Sequence, residues 1–294
     1  MREFKILAIL VIFTGVLYWG VEPFAHSQMH KHVEPADFSF KDVDGLGGLT
    51  GNVQNGATLV QSNCTACHSI EKAGFPPVMD DASAAASYGV VPPDLSTAGY
   101  LYDENFLAAF IKDPAKASLV SHKFVNGRVH PMPGYGWMQP QEIADIVAYL
   151  KSIAPHEMTD KEVFVDACQR CHSAKYGDFR FDGSKSSMSA KTPDANIKTY
   201  MGTIPPDLSQ MIRSRGHEYL EEFINEPGKH LGGTAMPRVG LKQEPQEQVI
   251  AYLEKIGDSS KDKRASLGPK FLGYLVIFAI FAWLWKFKIW REVH

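Results

Sequence analysis

The sequence predicts an all-α protein in which two similar helical domains follow one another between an N-terminal and a C-terminal transmembrane helix. Apolar residues recur at helical spacing in several segments of the 294-residue chain. A set of short motifs occurs twice in the same order, which indicates an internal repeat. Uncharged apolar stretches lie near both chain ends, and the chain is long enough for about two compact domains.

The overall composition shows no strong charge bias. Hydrophobic residues make up 45% and charged residues 21% of the chain, and the formal net charge is −3. Lysine and arginine are not concentrated in any one segment, so we expect no nucleic-acid partner.

All four cysteines belong to two copies of one pentapeptide pattern, CTACH at 64–68 and CQRCH at 168–172. Two C-x-x-C pairs are compatible with two disulfides or one zinc site, but the histidine directly after each pair argues against both. C-x-x-C-H is the attachment signature of c-type haem, in which two thiols bond the porphyrin and the histidine binds the iron. On a helix, cysteines three residues apart share one face and can hold one macrocycle edge. We therefore expect two covalently bound haem c groups, attached through Cys64, Cys67, His68, Cys168, Cys171 and His172.

A methionine follows each of these histidines at the same distance. In both repeats 64 residues separate the two, from His68 to Met132 and from His172 to Met236, and a proline follows each methionine. Proline stiffens a loop, which helps to hold a thioether at the iron. We therefore predict two His/Met iron-ligand pairs, although most methionines in proteins are packing residues. His130 is the rival to Met132, but the second repeat has no histidine at the matching place.

The phrase PPDLS lies between histidine and methionine in both repeats, at Pro92–Ser96 and Pro205–Ser209. It is compatible with a plain turn, in which the aspartate accepts hydrogen bonds from nearby N–H groups, and with a loop that keeps water from a haem edge. The loop before the second copy is nine residues longer, within Tyr176–Met201. This basic loop is either a tolerated surface insertion or a docking surface for an electron-transfer partner.

Amphipathic helices are predicted on both sides of these motifs. Thr159–Glu162 has the capping-box pattern that would begin the helix before the second haem motif. Apolar residues at helical spacing precede each haem motif and follow each methionine. They are Leu59 and Val60, Val163 and Phe164, then Ile143, Ile146, Val147 and Leu150, and finally Val249, Leu253 and Ile256.

The two chain ends predict membrane contact. Ile6–Val21 is mostly apolar and follows two basic residues, which is typical of a signal peptide or an uncleaved anchor. Its bulky C-terminal side makes a poor cleavage region, so we expect it to be retained. Pro269–Trp290 has 22 residues, enough at 1.5 Å each to cross a hydrocarbon core of about 30 Å. The tryptophans near its end fit an interfacial belt in contact with membrane lipid.

A helix followed by C-x-x-C-H, a methionine loop and a C-terminal helix with an aromatic residue resemble the class I cytochrome c fold. The resemblance covers residues 52–156 and 157–258 and implies two tandem cytochrome c domains. The flanking parts are an anchor or signal segment at 1–25, linkers at 26–51 and 259–269, and a transmembrane anchor at 270–290. His26, His30 and His32 could bind a metal, but a flexible polar linker is the better interpretation. Covalent haem c attachment outside the bacterial cytoplasmic (inner) membrane implies periplasmic haem domains.

Three stretches carry a more specific resemblance: GTIPPDLSQMIRSRGHEYL at Gly202–Leu220, the haem peptide at Cys64–Ser69, and the C-terminal KFKIWREVH. They resemble the cytochrome c subunit of ubiquinol–cytochrome c reductase (cytochrome bc) complexes, of which the usual member carries one haem. With two domains and the opening YWGVEPFAHSQMH, the chain is similar to the di-haem version known from some bacteria, including the Campylobacter and Helicobacter group.

The resemblance implies a place in a respiratory chain. Such a subunit lies beside a cytochrome b subunit, takes electrons from the Rieske iron–sulfur protein, and delivers them to a periplasmic cytochrome c or an oxidase. By itself the chain is then an electron carrier rather than an enzyme, within a quinol–cytochrome c oxidoreductase complex.

Two other functions fit parts of the same pattern. A di-haem subunit of a terminal oxidase, or a free anchored electron shuttle, would use the same haem chemistry. Oxidase subunits of this type usually carry their anchor at the N-terminus, so the C-terminal span favours the reductase. A di-haem peroxidase needs an open iron position, and two matched methionines leave none.

Overall fold

The computed structural model describes residues 2–29, 35–177 and 188–293, and within these ranges every regular element is a helix. Among the described residues, extended backbone segments pair in three isolated antiparallel β-bridges. The helical class predicted from the sequence is therefore confirmed for this part of the chain. His30 and His32, which were singled out above, lie outside it.

The N-terminal apolar segment forms one continuous rod. Helix α1 (Arg2–Val16) passes through a π-helical turn at Leu17–Val21 into α2 (Glu22–Met29). The stretch Phe4–Gln28 is 25 residues long and apolar enough to cross a membrane, and none of its most apolar window is buried. At about 1.5 Å per residue, the length of this helix exceeds the thickness of the hydrocarbon core. The helix is also longer than the apolar segment Ile6–Val21 predicted from the sequence.

The first repeat packs around two crossing helices. Its helices are α3 (Val53–Asn63), α4 (Asp81–Tyr88), α5 (Ala98–Leu101), α6 (Glu104–Lys112), α7 (Pro114–Ala117) and α8 (Pro140–Ile153), with 3₁₀ turns at Glu71–Ala73 and Ser121–Lys123. Helix α3 lies across α8, and Gly56 permits this because a Cβ there would be 2.0 Å from the Asp145 carbonyl oxygen. The predicted apolar face of α8 is buried against Val60.

The second repeat has the same arrangement. Its helices are α9 (Asp160–Ala167), α10 (Asp194–Met201), α11 (Met211–Arg215), α12 (His217–Asn225), α13 (Pro227–His230) and α14 (Gln243–Gly257). Helix α9 packs on α14 as α3 packs on α8. The predicted capping box at Thr159 is confirmed, since its side chain and that of Glu162 each accept from the other's backbone N–H. Val163, Phe164 and Leu253 lie in the core.

The two repeats contact one another directly. Tyr102 pairs with Leu241 in an antiparallel bridge, and the Asp103 amide donates to the Gly240 carbonyl at 3.0 Å. The Thr97 hydroxyl donates to Asp166 at 2.8 Å. Tyr102 packs against the cores of both repeats, so the repeats share a packed interface rather than being joined by a linker alone.

Residues 35–50, which the sequence analysis assigns to a linker, are packed against both repeats. Phe40 is 1% exposed, and its ring centroid is 5.6 Å from that of Phe106 in the first repeat. Arg238 of the second repeat stacks over the Phe40 ring at 5.6 Å and donates to Asp42 at 2.6 Å. One aromatic side chain and one ion pair therefore fasten this segment across both repeats.

The longer loop of the second repeat also packs inward where the structure describes it. Residues 178–187, which hold part of the predicted excess, lie outside the described residues. Beyond them Thr192 is fully buried, and its hydroxyl accepts from the Val91 amide at 3.1 Å. The Asn196 side chain donates to the Ala85 carbonyl at 3.1 Å. This part of the loop is an interdomain contact, which neither predicted interpretation anticipated.

The C-terminal segment is one long helix, α15 (Lys261–Val293). It includes most of the predicted linker 259–269, because the lysines, alanine and leucine there favour helix and Pro269 removes one hydrogen bond without ending it. The stretch Lys261–Arg291 is long enough to cross a membrane and contains an apolar window suited to do so, none of which is buried.

Candidate functional site

Each C-x-x-C-H motif forms the turn that follows a helix. Helix α3 ends at Asn63 with Cys64 as its C-cap, and α9 ends just before Cys168. The expectation that the cysteines lie on the helix itself therefore needs correction. The His68 amide donates to the Cys64 carbonyl at 2.9 Å, and the His172 amide to the Cys168 carbonyl at 3.0 Å. These bonds span four residues, so each motif still forms one helix-like turn.

The histidine of each motif is held by the second proline of PPDLS. The distance from His68 Nδ1 to the Pro93 carbonyl oxygen is 2.8 Å, and that from His172 Nδ1 to the Pro206 carbonyl oxygen is 2.9 Å. A carbonyl can only accept, so Nδ1 carries the proton and Nε2 keeps its lone pair. Such a bond to the non-ligating nitrogen orients the ring of a metal-binding histidine.

Sequence reasoning missed this role of PPDLS. It predicted a turn or a cover for the haem edge, and neither interpretation required a carbonyl facing the histidine. A usable signal was present, since the phrase recurs unchanged while its distance from the haem motif differs by nine residues. A segment kept through such drift is expected to make a contact that both repeats need.

The aspartate of PPDLS fastens the loop to the segment directly after the histidine. Asp94 accepts from the amides of Ser96 at 2.7 Å and Glu71 at 3.0 Å. Asp207 accepts from the Ser173 hydroxyl at 2.7 Å and the Lys175 amide at 3.1 Å. Burial alone would raise the pKa of both carboxyl groups, but these hydrogen bonds outweigh it and lower both.

The protonation states at the two motifs follow from burial. Burial lowers the pKa of His68 and of His172, and the proline carbonyl bonds offset this only in part. Burial raises the pKa of Cys64 to about 11 and that of Cys168 to about 12. The imidazoles are therefore neutral at physiological pH, which is the form that binds a metal, and these thiols are protonated.

The disulfide and zinc alternatives gain no support from the described part of the chain. The four cysteines are free thiols there. No group of three or more His, Cys, Asp or Glu residues among the described positions could hold a metal ion. The haem interpretation uses another donor set, with two thiols for the porphyrin and one imidazole for the iron.

Each predicted methionine lies with the core of its own repeat. Met132 and Cys64 are partly buried against the core of the first repeat, and Met236 and Cys168 against that of the second. His130, the rival ligand, places Nδ1 3.1 Å from the Met132 carbonyl oxygen. Its ring packs edge-on against Phe124, with centroids 5.0 Å apart. The structure thus gives His130 a packing role beside the methionine loop.

The helical fold of the first repeat, its haem-attachment turn and its oriented histidine define a c-type haem-binding domain. Residues 53–154 match the family described as Cytochrome c, so this part of the chain is a cytochrome c domain. The family binds haem c covalently, and the two thiols and free Nε2 of the first motif fit that group.

A solved structure described as "Hyperthermophilic respiratory Complex III" is also similar to this chain. The identity is 20% and the TM-score 0.34, over 100% of this chain and 98% of the other. Chains this distant need not share an overall fold.

Proposed function

We propose that the chain is a membrane-anchored di-haem c-type cytochrome that accepts electrons from the Rieske protein of a quinol–cytochrome c reductase. It would deliver them to a periplasmic cytochrome c or an oxidase. One observation carries the di-haem part: both repeats hold their motif histidine by the same proline carbonyl, at 2.8 and 2.9 Å. The histidine of the second motif is thus oriented for metal binding in the same way as the histidine of the first repeat.

The residues of each repeat have separate tasks in this proposal. The two cysteines attach the haem, the histidine binds the iron, and Met132 or Met236 supplies the sixth ligand. The haem supplies one-electron chemistry, and His/Met ligation with exclusion of water raises its potential. The packed interface between the repeats keeps their separation constant, which supports electron transfer within one molecule.

The membrane location and partners are supported by other features. The apolar helices Phe4–Gln28 and Lys261–Arg291 would anchor the chain in the inner membrane, with both termini inside and the haem domains in the periplasm. The cytochrome b and Rieske partners are suggested by the resemblance of Gly202–Leu220 and the C-terminal segment to the reductase subunit.

Purification of the native protein from membranes in mild detergent tests this proposal. We expect two haems per chain by the pyridine haemochrome assay, and a cytochrome b and a Rieske protein in the same complex. A variant with Cys168 and Cys171 both replaced by alanine should retain one haem. One haem per native chain would refute the di-haem part, and companions of another kind would refute the reductase part.

The N-terminal apolar helix favours a second candidate. A chain anchored at its N-terminus fits a terminal-oxidase subunit or a free shuttle, and Phe4–Gln28 is long enough for such an anchor. Under this alternative the same purification yields oxidase subunits or the chain alone, still with two haems.

A further inference from the structure

One cation of the second haem motif lies next to the first haem motif. Arg170 is the residue before the second cysteine of CQRCH, where CTACH has Ala66. Together with Cys67 and Pro93 of the first repeat, Arg170 lines a cavity of about 150 Å³ between the two repeats. The Pro93 carbonyl orients His68, so the cavity borders the residue that holds the predicted iron ligand.

The contacts of Arg170 point toward the first repeat. Burial raises the pKa of Tyr102, the residue that packs against both cores, and the nearby charge of Arg170 opposes that rise. Among the residues of the second haem motif only Arg170 lines the cavity, whereas Ala66 and Cys67 of the first motif both line it.

The Arg170 side chain is partly buried, and its guanidinium is not fully hydrogen-bonded. Its Nε is buried and has no hydrogen-bond partner. Asp166 lines the same cavity; burial raises the pKa of its carboxyl group, and the charge of Arg170 opposes that rise. Lys191 lines the same cavity from an exposed position, where water screens its charge. Arg170 is therefore the partly buried cation of this cavity, and the exposed Lys191 provides a matched comparison.

We propose that Arg170 sets the reduction potential of the first haem, so that the second repeat supplies the charge that keeps the first haem readily reducible. The inference rests on the proposed function, since it requires a haem at the first motif. Ferric iron carries one more positive charge than ferrous iron, so a nearby cation favours the ferrous state. In a partly buried site this interaction is stronger than in water.

The test substitutes Arg170 and follows each haem separately. Arg170→Ala makes the second motif CQACH, with the alanine that the first motif already carries, and Arg170→Lys retains the charge. Spectroelectrochemical titration of the full-length protein should show about a tenfold fall in the reduction equilibrium constant of the first haem in Arg170→Ala. That change equals 59 mV for one electron. Arg170→Lys should restore most of it, and Lys191→Gln should change it little.

Two backgrounds assign the waves. In Met236→Ala, which shifts the wave of the second haem to lower potential, Arg170→Ala should still lower the wave of the first haem. In Met132→Ala, which shifts the wave of the first haem instead, Arg170→Ala should leave the wave of the second haem in place. A shift confined to the second haem, or no shift in either, overturns the inference. If the native protein carries haem only at the first motif, the di-haem function is refuted, but the effect of Arg170 on the potential of that haem can still be measured. If the haem at the first motif is missing, both the di-haem function and the inference about Arg170 are refuted.

Discussion

Loss of the PPDLS aspartate should destabilise either repeat by a similar amount. Asp94 accepts from the amides of Ser96 and Glu71, and Asp207 makes the equivalent bonds with Ser209 and Lys175. Replacement by alanine leaves these donors without their acceptor and releases the loop whose proline carbonyl orients the histidine.

The magnitude follows from the number and exposure of these bonds. A buried donor left unpaired costs about 1–3 kcal/mol. Both aspartates are only partly buried, so water can replace part of the loss. We therefore expect a decrease of about 1–3 kcal/mol in the free energy of unfolding for Asp94→Ala and for Asp207→Ala. Asp→Asn at either position should lose less, since the amide oxygen still accepts.

Urea unfolding of the haem-loaded protein in detergent, followed by haem absorbance, measures this change. The pKa of both carboxyl groups is lowered in the folded protein. Their contribution is therefore complete above the unfolded pKa of about 3.9 and is lost as the pH falls through the folded pKa. The alanine variants should lack this acid-dependent part. A neutral surface substitution changes the free energy of unfolding by less than roughly 0.5 kcal/mol. Changes that small in both alanine variants would refute the reasoning.

Four further predictions concern the iron ligands and two contacts of the packed interface. Met132→Ala and Met236→Ala should each remove one low-spin His/Met haem spectrum while both haems stay attached; a methionine–iron band that survives in both variants contradicts the ligand assignment. The parent, with both positions filled, should bind little carbon monoxide when reduced. Gly240→Ala should destabilise the protein by about 1–3 kcal/mol in urea unfolding, because Gly240 has φ +76° and a Cβ would lie 1.9 Å from the Phe106 ring. An unchanged unfolding midpoint would show that the Phe106 side chain and the backbone at Gly240 move apart at no cost. Arg238→Ala should lower the free energy of unfolding by about 1–3 kcal/mol in the same assay, because the Arg238 side chain is 3% exposed. Asp42→Asn should lower it less, because the Asp42 side chain is 51% exposed and water screens its charge. A larger loss in Asp42→Asn than in Arg238→Ala would contradict this reasoning.

Predictions from spacing were accurate where local chemistry dominates. The helices before each haem motif, the capping box at Thr159 and the apolar face of α8 depend on neighbours within a few residues, and the structure confirms them. The linker at 259–269 was less well predicted because polar composition does not distinguish an exposed helix from a loop. The iron ligands and the second haem stay predictions that the proposed experiments test.

The sequence by itself determined the helical class, the repeated haem-attachment pattern and the apolar chain ends, because these depend on residue type and periodicity along the chain. Only the tertiary structure decided which backbone carbonyl faces each histidine, and that Phe40, Thr192 and Arg170 lie between the repeats. These contacts join residues far apart in sequence, and their partners are often backbone groups, which every residue carries. Composition and spacing therefore hold little information about them, whereas packing selects them through the volume and hydrogen bonds that each position offers.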